Sequence, residues 1–246
     1  MTLMVHAGGK YSTRDELSLV PVPEATESYT PVPHNHLAET LMTIGQDILK
    51  GHALDSEQYA LAREGNQMFG VLTFKGEHPE MGLSIGFRNS YDKSMAIGIA
   101  IGAHVFCCDN LALTGDIAIL RKHTGNVWAS LEDIAISTLY RSQKNFQKIV
   151  EDSEFLKNEK ISDTGAFQYM GLLYGKGVLT PRQLPVVKRE WLKPSHEDFQ
   201  PRNMWSLYNA CTEAMKSAPP VLIMEKHVKL HNVMTGEIRG MAQADI

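Results

Sequence analysis

The sequence predicts an α+β fold in which helices cover an antiparallel sheet, and three observations lead to it. Apolar residues alternate with small or polar ones through the middle third of the chain, as they do in strands. An apolar stripe at helical spacing follows directly. Apolar residues make up 43% and charged residues 21% of the chain, which is ordinary for a globular protein with a core. We therefore expect a sheet over about residues 58–123, a long helix over about 127–157, and flanking N- and C-terminal helices.

Residues 1–33 are expected to form an irregular lead-in, because four prolines interrupt them and proline cannot continue a regular element. These are Pro21, Pro23, Pro31 and Pro33. A helix is predicted from about residue 36, with Gly51 just past its end. Its apolar residues recur at helical spacing and are Leu37, Leu41, Ile44 and Ile48. Residues 34–246 are then expected to form a single α+β domain.

The predicted sheet is built from several short segments. Residues 59–74 indicate two short strands or one long bent strand, with a turn signal at Gly65-Asn66. Residues 82–88 and 95–106 alternate apolar with small residues, although a helix is an alternative for the second, because short apolar runs are ambiguous. Two glycines favour a strand there, Gly98 and Gly102. The stretch "DIAILRKH" predicts one more strand.

Helices and loops follow the sheet. The long helix over about 127–157 carries an apolar stripe that can cover one sheet face, consisting of Trp128, Leu131, Ala135, Leu139, Phe146 and Ile149. Residues 165–200 are interrupted by glycines and prolines and are expected to be a loop-rich basic segment. The last predicted helix lies in "RNMWSLYNACTEAMKSAPP" and is stopped by Pro219-Pro220.

The composition limits the classes of function. A net charge of −4, from 24 basic and 28 acidic residues, excludes a protein held to nucleic acid by bulk positive charge. Three cysteines make a poor disulfide framework and are typical of reduced thiols in a cytoplasm. No apolar run reaches the length of about 18 residues that indicates a membrane span. We therefore expect an intracellular protein with no membrane partner.

Charge is uneven along the chain. Residues 1–57 carry three basic and eight acidic side chains, whereas residues 176–246 carry ten basic and seven acidic ones. The stretch 176–193 contains a single acidic residue, Glu190, against five basic residues, Lys176, Arg182, Lys188, Arg189 and Lys193. It indicates either a surface that faces phosphates or an acidic partner, or a solvated surface segment.

The stretch "FRNSYDKS" at 87–94 allows two interpretations. Its polar residues are Arg88, Asn89, Ser90, Asp92, Lys93 and Ser94. Short polar side chains typically bond to nearby backbone in a tight turn. A basic pair around them would also suit a phosphate contact. A second polar stretch, "CDN" at 108–110, is similar, but a straight strand between the two would hold them roughly 40 Å apart. A shared site would then need a bend in the chain or a second subunit.

Two other chemistries can be tested by spacing. No Cys-x-x-Cys pattern is present, so zinc binding would require tertiary convergence of several residues, His34, His36, Cys107, Cys108 or His123. A catalytic nucleophile would require Cys107 or Cys108 to be paired with His104 or His123. The sequence shows no feature that would stabilise a thiolate. We therefore predict no catalytic residue, no metal and no cofactor.

Five motifs occur in order over about residues 30–220: "PVPHNHL", "REGNQMFG", "FRNSYDKS", "VFCCDNLALTGDIAILRKHT" and "MWSLYNACTEAMK". As a set they resemble the phage- and plasmid-borne family called domain of unknown function 932. Its Asn-Ser-x-Asp-x-Ser, Val-Phe-x-Cys-x-Asn and basic-His motifs match Asn89, Ser90, Asp92 and Ser94, then Val105, Phe106, Cys108 and Asn110, then Arg121, Lys122 and His123. Family members often carry His where Tyr91 stands and Gly where Lys93 stands.

The resemblance implies a mobile-element origin and a bacterial cytoplasm, and it supplies no activity. The leading hypothesis is an accessory protein of phage or plasmid DNA metabolism that binds or anneals single-stranded DNA. The order of a sheet followed by a helix resembles Rad52-type annealing proteins. By the same analogy, a homo-oligomer is expected. The expected nucleic-acid contacts are Arg88, Asn89, Ser90, Lys93, Arg121, Lys122, Arg182, Lys188 and Arg189. The candidate stacking aromatics are Tyr174, Trp191, Phe199 and Trp205.

Two other classes of function remain open. The acidic first 57 residues suit a non-catalytic module that binds a host protein and counters host defence. An enzyme would instead need four polar residues within hydrogen-bond reach of one another, Asp92, Asp109, Cys108 and His123.

Overall fold

The computed structural model describes residues 9–106, 110–120, 127–218 and 220–244. Six strands form one antiparallel sheet in chain order. They are β1 Lys10–Ser12, β2 Ala53–Ala62, β3 Gln67–Lys75, β4 Met81–Ser90, β5 Ile97–Val105 and β6 Asn110–Leu120. The helices are α1 Arg14–Ser18, α2 His34–Ile48, α3 Val127–Tyr140, α4 Ser142–Asn158, α5 Asp163–Gly175, α6 Leu184–Leu192, α7 Met204–Met215 and α8 Pro220–Ala244.

The predicted α+β class and the antiparallel sheet are confirmed. Residues 59–74 form two strands and not one bent strand, because the chain reverses at 63–66, where Gly65 has a φ of 88°. Residues 97–105 form a strand, as the glycine argument favoured. The first long helix begins at His34, two residues earlier than expected.

Four elements differ from the expectation. The lead-in contains β1, which pairs with β2 at Tyr11 and Ala60, and the short α1. The long helix is two helices, because the Arg141 N–H bonds the Thr138 carbonyl, three residues back, in a tighter turn. The segment 165–200, expected to consist of loops with short elements, contains most of the 13-residue α5 and the 9-residue α6. The helix α8 was not anticipated at all.

The central strands β3, β4 and β5 are buried on both faces of the sheet. On one face, large side chains of β3, β4 and β5 pack against α2 and α3, and they include Leu72, Phe74, Ile85, Phe87 and Ile99. On the other face, Phe69 and Val71 of β3, Ala100 of β5 and Leu113 of β6 pack against Ile223 and Met224 of α8. A third apolar cluster joins the Met81 end of the sheet to α4, α5, α6 and α7.

None of the helices in the described ranges combines the length and apolar character that a bilayer crossing requires.

The close approach of β5 and β6 generates a prediction. A Cβ added at Gly102 would lie 2.3 Å from the Ala112 carbonyl oxygen, which is backbone and cannot rotate away. We expect Gly102→Ala to lower the free energy of unfolding by about 2 kcal/mol, as overpacking does. Urea unfolding followed by circular dichroism measures this change.

A matched glycine gives the opposite expectation. A Cβ at Gly171, inside α5, meets nothing within 4 Å. Gly171→Ala should therefore raise the free energy of unfolding by about 0.5–1 kcal/mol through helix propensity alone. Equal effects of the two substitutions would contradict the β5–β6 packing described above.

Candidate functional site

The described residues of the two polar stretches lie at opposite ends of the sheet. Arg88, near the end of β4, pairs with Gly98 at the start of β5, whereas Val105 at the far end pairs with Asn110. The seven residue steps of β5 from Gly98 to Val105 separate them by about 23 Å at the usual rise of about 3.3 Å per residue. The structure therefore does not bring residues 88–94 into one site with Val105, Phe106 or Asn110 within a chain.

Several predicted residues fall outside the described part of the chain. They are Cys107, Cys108, Asp109, Arg121, Lys122 and His123. Among the residues that are described, no group of three or more His, Cys, Asp or Glu is arranged to hold a metal ion.

Asn89 lies in a fully buried cluster with His34 and Tyr91. Its Nδ2 donates to the Val32 carbonyl at 2.7 Å and lies 3.0 Å from His34 Nδ1. His34 Nε2 lies 2.9 Å from the Gly65 carbonyl, which can only accept, so the proton sits on Nε2 and Nδ1 accepts from Asn89. Burial lowers the pKa of His34 from 6.5 to about 4, despite the bond to Gly65, so the ring is neutral.

Tyr91 caps the start of α2. Pro33, the N-cap residue, offers no side-chain hydrogen bond, and the Tyr91 hydroxyl instead accepts from the His34 N–H at 2.9 Å. The Tyr91 and His34 rings stack with centroids 3.9 Å apart. These contacts join the lead-in, α2 and the end of β4.

The remaining polar residues of the stretch close the turn after β4. Ser90 Oγ donates to the Met95 carbonyl at 2.8 Å, and Asp92 accepts from the Ser94 N–H at 3.0 Å. Gln67 donates to Ser94 Oγ at 2.7 Å. Burial alone would raise the pKa of Asp92, but the bonds from Ser94 and Gln67 and the charge of Arg63 outweigh it and lower the pKa. The backbone of Lys93 is in the left-handed region, with a φ of 59°, and the residue is exposed.

Arg88 pairs with α8. Its guanidinium lies 2.7 Å from Glu225, and only 5% of the residue is exposed. The prediction that Arg88, Asn89 and Ser90 contact nucleic acid is therefore corrected, because all three are buried with partners inside the protein. The turn interpretation accounts for them, and Lys93, the fourth predicted nucleic-acid contact of the stretch, is exposed.

A different surface combines exposed aromatic and basic side chains. Phe167 and Tyr174 lie on one face of α5, seven residues apart, and are 41% and 49% exposed. Lys188 of α6 lies 5.9 Å from the Phe167 ring centroid. Arg182, in the turn before α6, is exposed. We call Phe167, Tyr174, Lys176, Arg182, Lys188, Lys226 and Lys229 the α5 surface.

Two lysines of α8 complete the α5 surface. Lys226 Nζ donates to the Val178 carbonyl at 2.8 Å, just after α5, and Lys229 lies beside Gly177. Burial, and then the neighbouring charge of Lys229, lowers the pKa of Lys226. Two cations thus lie close together, next to the end of α5 where Lys176 is exposed.

Not every predicted contact belongs to this surface. The Arg189 guanidinium lies 3.1 Å from the carboxylate of Glu190, so its charge is already paired. Trp191, Phe199 and Trp205 are buried and cannot serve as stacking platforms, which corrects that expectation. Tyr174 remains from the predicted aromatics.

Sequence reasoning missed Phe167, Lys226 and Lys229. Phe167 lies in the segment 164–189, and the absence of acidic residues from this segment was a signal that could have pointed to it. The two lysines lie on a helix that was not predicted.

The buried His34 generates a pH prediction. Above pH 6.5 the ring is neutral in both states, whereas below it only the unfolded chain takes up a proton until about pH 4. The free energy of unfolding should therefore fall by about 3 kcal/mol as pH drops through this window. Urea unfolding at several pH values measures the slope.

Two variants separate the His34 effect from general acid destabilisation. His34→Gln should be less stable at neutral pH but show a flatter slope. His36→Gln changes an exposed histidine of the same helix and should keep the wild-type slope. An unchanged slope in His34→Gln would rule out the assignment.

Comparison of the chain with protein-family models, with curated proteins and with solved structures finds no match.

Proposed function

We propose that the chain binds single-stranded nucleic acid through the α5 surface. One observation carries the proposal: a 26-residue stretch without acidic residues, 164–189, presents two exposed aromatic rings among basic side chains. Non-specific single-strand binding proteins combine a positive groove with aromatic stacking platforms. The net charge of −4 is consistent with this, because the basic side chains are concentrated locally.

The spacing of the two rings suits neighbouring bases. Seven residues of α-helix advance the chain by about 10 Å, which leaves room for an unstacked strand to place one base on each ring. The Gly171 side of α5 between them is open, since an added Cβ there meets nothing within 4 Å. A strand backbone can therefore approach the helix closely at this point.

The cations of the α5 surface can bind the phosphates of the strand. Lys226 and Lys229 repel each other, and a phosphate between them would relieve that repulsion. Lys188 and Arg182 extend the positive charge along α6. Phosphate contacts of this kind supply most of sequence-independent affinity.

In the wider proposal, the chain is an accessory protein of phage or plasmid DNA metabolism in a bacterial cytoplasm, and a homo-oligomer if it anneals strands. The motif order that resembles domain of unknown function 932 supports this part. Single-stranded DNA is the preferred partner, and Arg88, Asn89 and Ser90 have no role in it.

The charge contribution can be measured by salt titration. We expect the double variant Arg182→Ala/Lys188→Ala to weaken binding of a labelled oligothymidylate and to flatten the slope of log affinity against log salt by about 1.4. Fluorescence anisotropy gives both quantities. Lys144→Ala/Lys148→Ala removes equal charge from exposed sites on α4 and should leave the slope unchanged. Equal losses in the two double variants would overturn the proposed surface.

The aromatic contribution has its own test. Phe167→Ala and Tyr174→Ala should each weaken binding about tenfold, because a lost base stack costs roughly 1–3 kcal/mol, while the salt slope stays the same. Tyr140→Ala, which removes a ring that is 73% exposed on α3, is the matched control and should have no effect. Wild-type affinity in both α5 variants would argue against stacking.

One observation favours a second candidate, a module that binds a host protein. Ile136 and Tyr140 are exposed one turn apart on α3, at 40% and 73%. Exposed apolar side chains of this kind recur at protein interfaces. This candidate predicts a stable complex with a host protein that Tyr140→Ala disrupts, and no salt-sensitive binding of DNA.

A further inference from the structure

Two lysines of α8, Lys226 and Lys229, meet the end of α5 at a single exposed residue, Gly177. The ammonium group of Lys226 donates to the Gly177 carbonyl at 3.3 Å and to the Val178 carbonyl at 2.8 Å, which leaves its third N–H for another acceptor. The ammonium group of Lys229 lies 3.9 Å from the position that a Cβ of Gly177 would take, and Lys229 is exposed. Both positive charges of this lysine pair therefore lie at one point of the α5 surface.

The lysine pair has no acidic counter-charge. Among the residues that the structure describes, neither Lys226 nor Lys229 forms an ion pair. Glu225, four residues before Lys229 on the same helix, is the acid at the right spacing, but Arg88 binds both of its oxygens, at 2.7 Å and 2.9 Å. Burial and then the charge of Lys229 lower the pKa of Lys226, as expected of two neighbouring cations that lack a carboxylate between them.

The lysine pair lies where the stacking surface ends. The Gly177 N–H bonds to the Tyr174 carbonyl at 2.9 Å, so Tyr174 and the lysine pair lie at the same end of α5. Phe167, the other exposed ring, lies about two turns away toward the start of this helix. No aromatic residue occurs from 175 to 190, so a strand that stacks on both rings meets no further ring beyond Tyr174. The part of the strand that reaches the lysine pair is then a phosphate without a stacked base.

We infer, on the basis of the proposed function, that the lysine pair binds the terminal phosphate of a single strand whose last base stacks on Tyr174. An internal phosphodiester brings one negative charge to the site. A terminal phosphomonoester brings nearly two at neutral pH, because its second pKa is about 6. The terminal group is therefore the one that matches two uncompensated ammonium groups. A 5′-phosphate and a 3′-phosphate share this chemistry.

A lysine near the C-terminal end of a helix also serves the fold, by bonding the last carbonyl groups. This role accounts for Lys226, whose two hydrogen bonds join α8 to the end of α5. It does not account for Lys229, which is exposed and forms no hydrogen bond with the described residues. Substitution of Lys229 therefore separates ligand binding from folding.

Three oligothymidylates of equal length, labelled internally, test the inference. One carries a 5′-phosphate, one a 3′-phosphate, and one has hydroxyl groups at both ends. In fluorescence anisotropy at about pH 7.5, we expect a phosphorylated strand to bind roughly fivefold tighter than the hydroxyl strand, as an added charge contact at an exposed site predicts. At about pH 5 the phosphate is a monoanion, and this ratio should shrink to about twofold. Taking the ratio at each pH removes any effect of pH on the protein itself.

Two variants complete the test. Lys229→Gln should bring the ratio toward one at neutral pH. Lys188→Gln, which removes the charge beside Phe167, is the matched control and should weaken phosphorylated and hydroxyl strands alike, so that the ratio is preserved. A gain at one end alone fixes the direction of the strand, and gains at both ends mean that either end occupies the site.

Failure of this site is distinguishable from failure of the α5 surface. Equal affinity of the three strands, or a ratio that survives Lys229→Gln, overturns the terminal-phosphate site and leaves the α5 surface standing. Absence of salt-sensitive binding by all three strands overturns the proposed function and the terminal-phosphate site together.

Discussion

A guanidinium group buried in a sheet needs an opposite charge within reach, because an unpaired charge in such surroundings is costly. In this protein Glu225 of α8 supplies it to Arg88. A second contact fixes the same helix further along, where His231 Nε2 lies 2.9 Å from the Asp152 carboxylate of α4. These two contacts hold α8 across the sheet face that carries Phe69, Ala100 and Leu113, and burial of these residues follows from that position. The same docking places Lys226 and Lys229, the two lysines that α8 contributes to the α5 surface.

The sequence was most informative where apolar side chains recur at a regular spacing. Alternation through β4 and β5 predicted the sheet, and the stripe from Leu37 predicted α2. Both are local patterns that burial enforces. The helix α8 carries a mixed pattern, because it contacts the sheet, α7 and a charged partner at once, and no single stripe describes such surroundings.

The polar stretch 87–94 shows why residue type alone is a weak guide to a site. Arginine, asparagine and serine serve equally well to contact a phosphate and to satisfy buried backbone. Which use applies depends on partners far away in sequence, here Val32, His34 and Glu225. Those contacts span more than fifty residues and leave no local signal. In contrast, the acid-free stretch 164–189 is readable directly, because a surface charge pattern needs no distant partner.

The short strand β1 has a consequence for how copies of this chain can meet. It pairs with β2 only from Tyr59 to Leu61, so the edge from Ala53 to Gln58 has no strand beside it among the described residues. Exposed edges invite further strands to add and polymerise. Here a bulge between Leu54 and Ser56 interrupts the register of β2 with β3, and Asp55 places a negative charge on the rim, while the Glu57 carboxylate is paired with Arg14 of α1. An edge that is bulged and carries a charge is a poor template for the addition of a strand from a second copy.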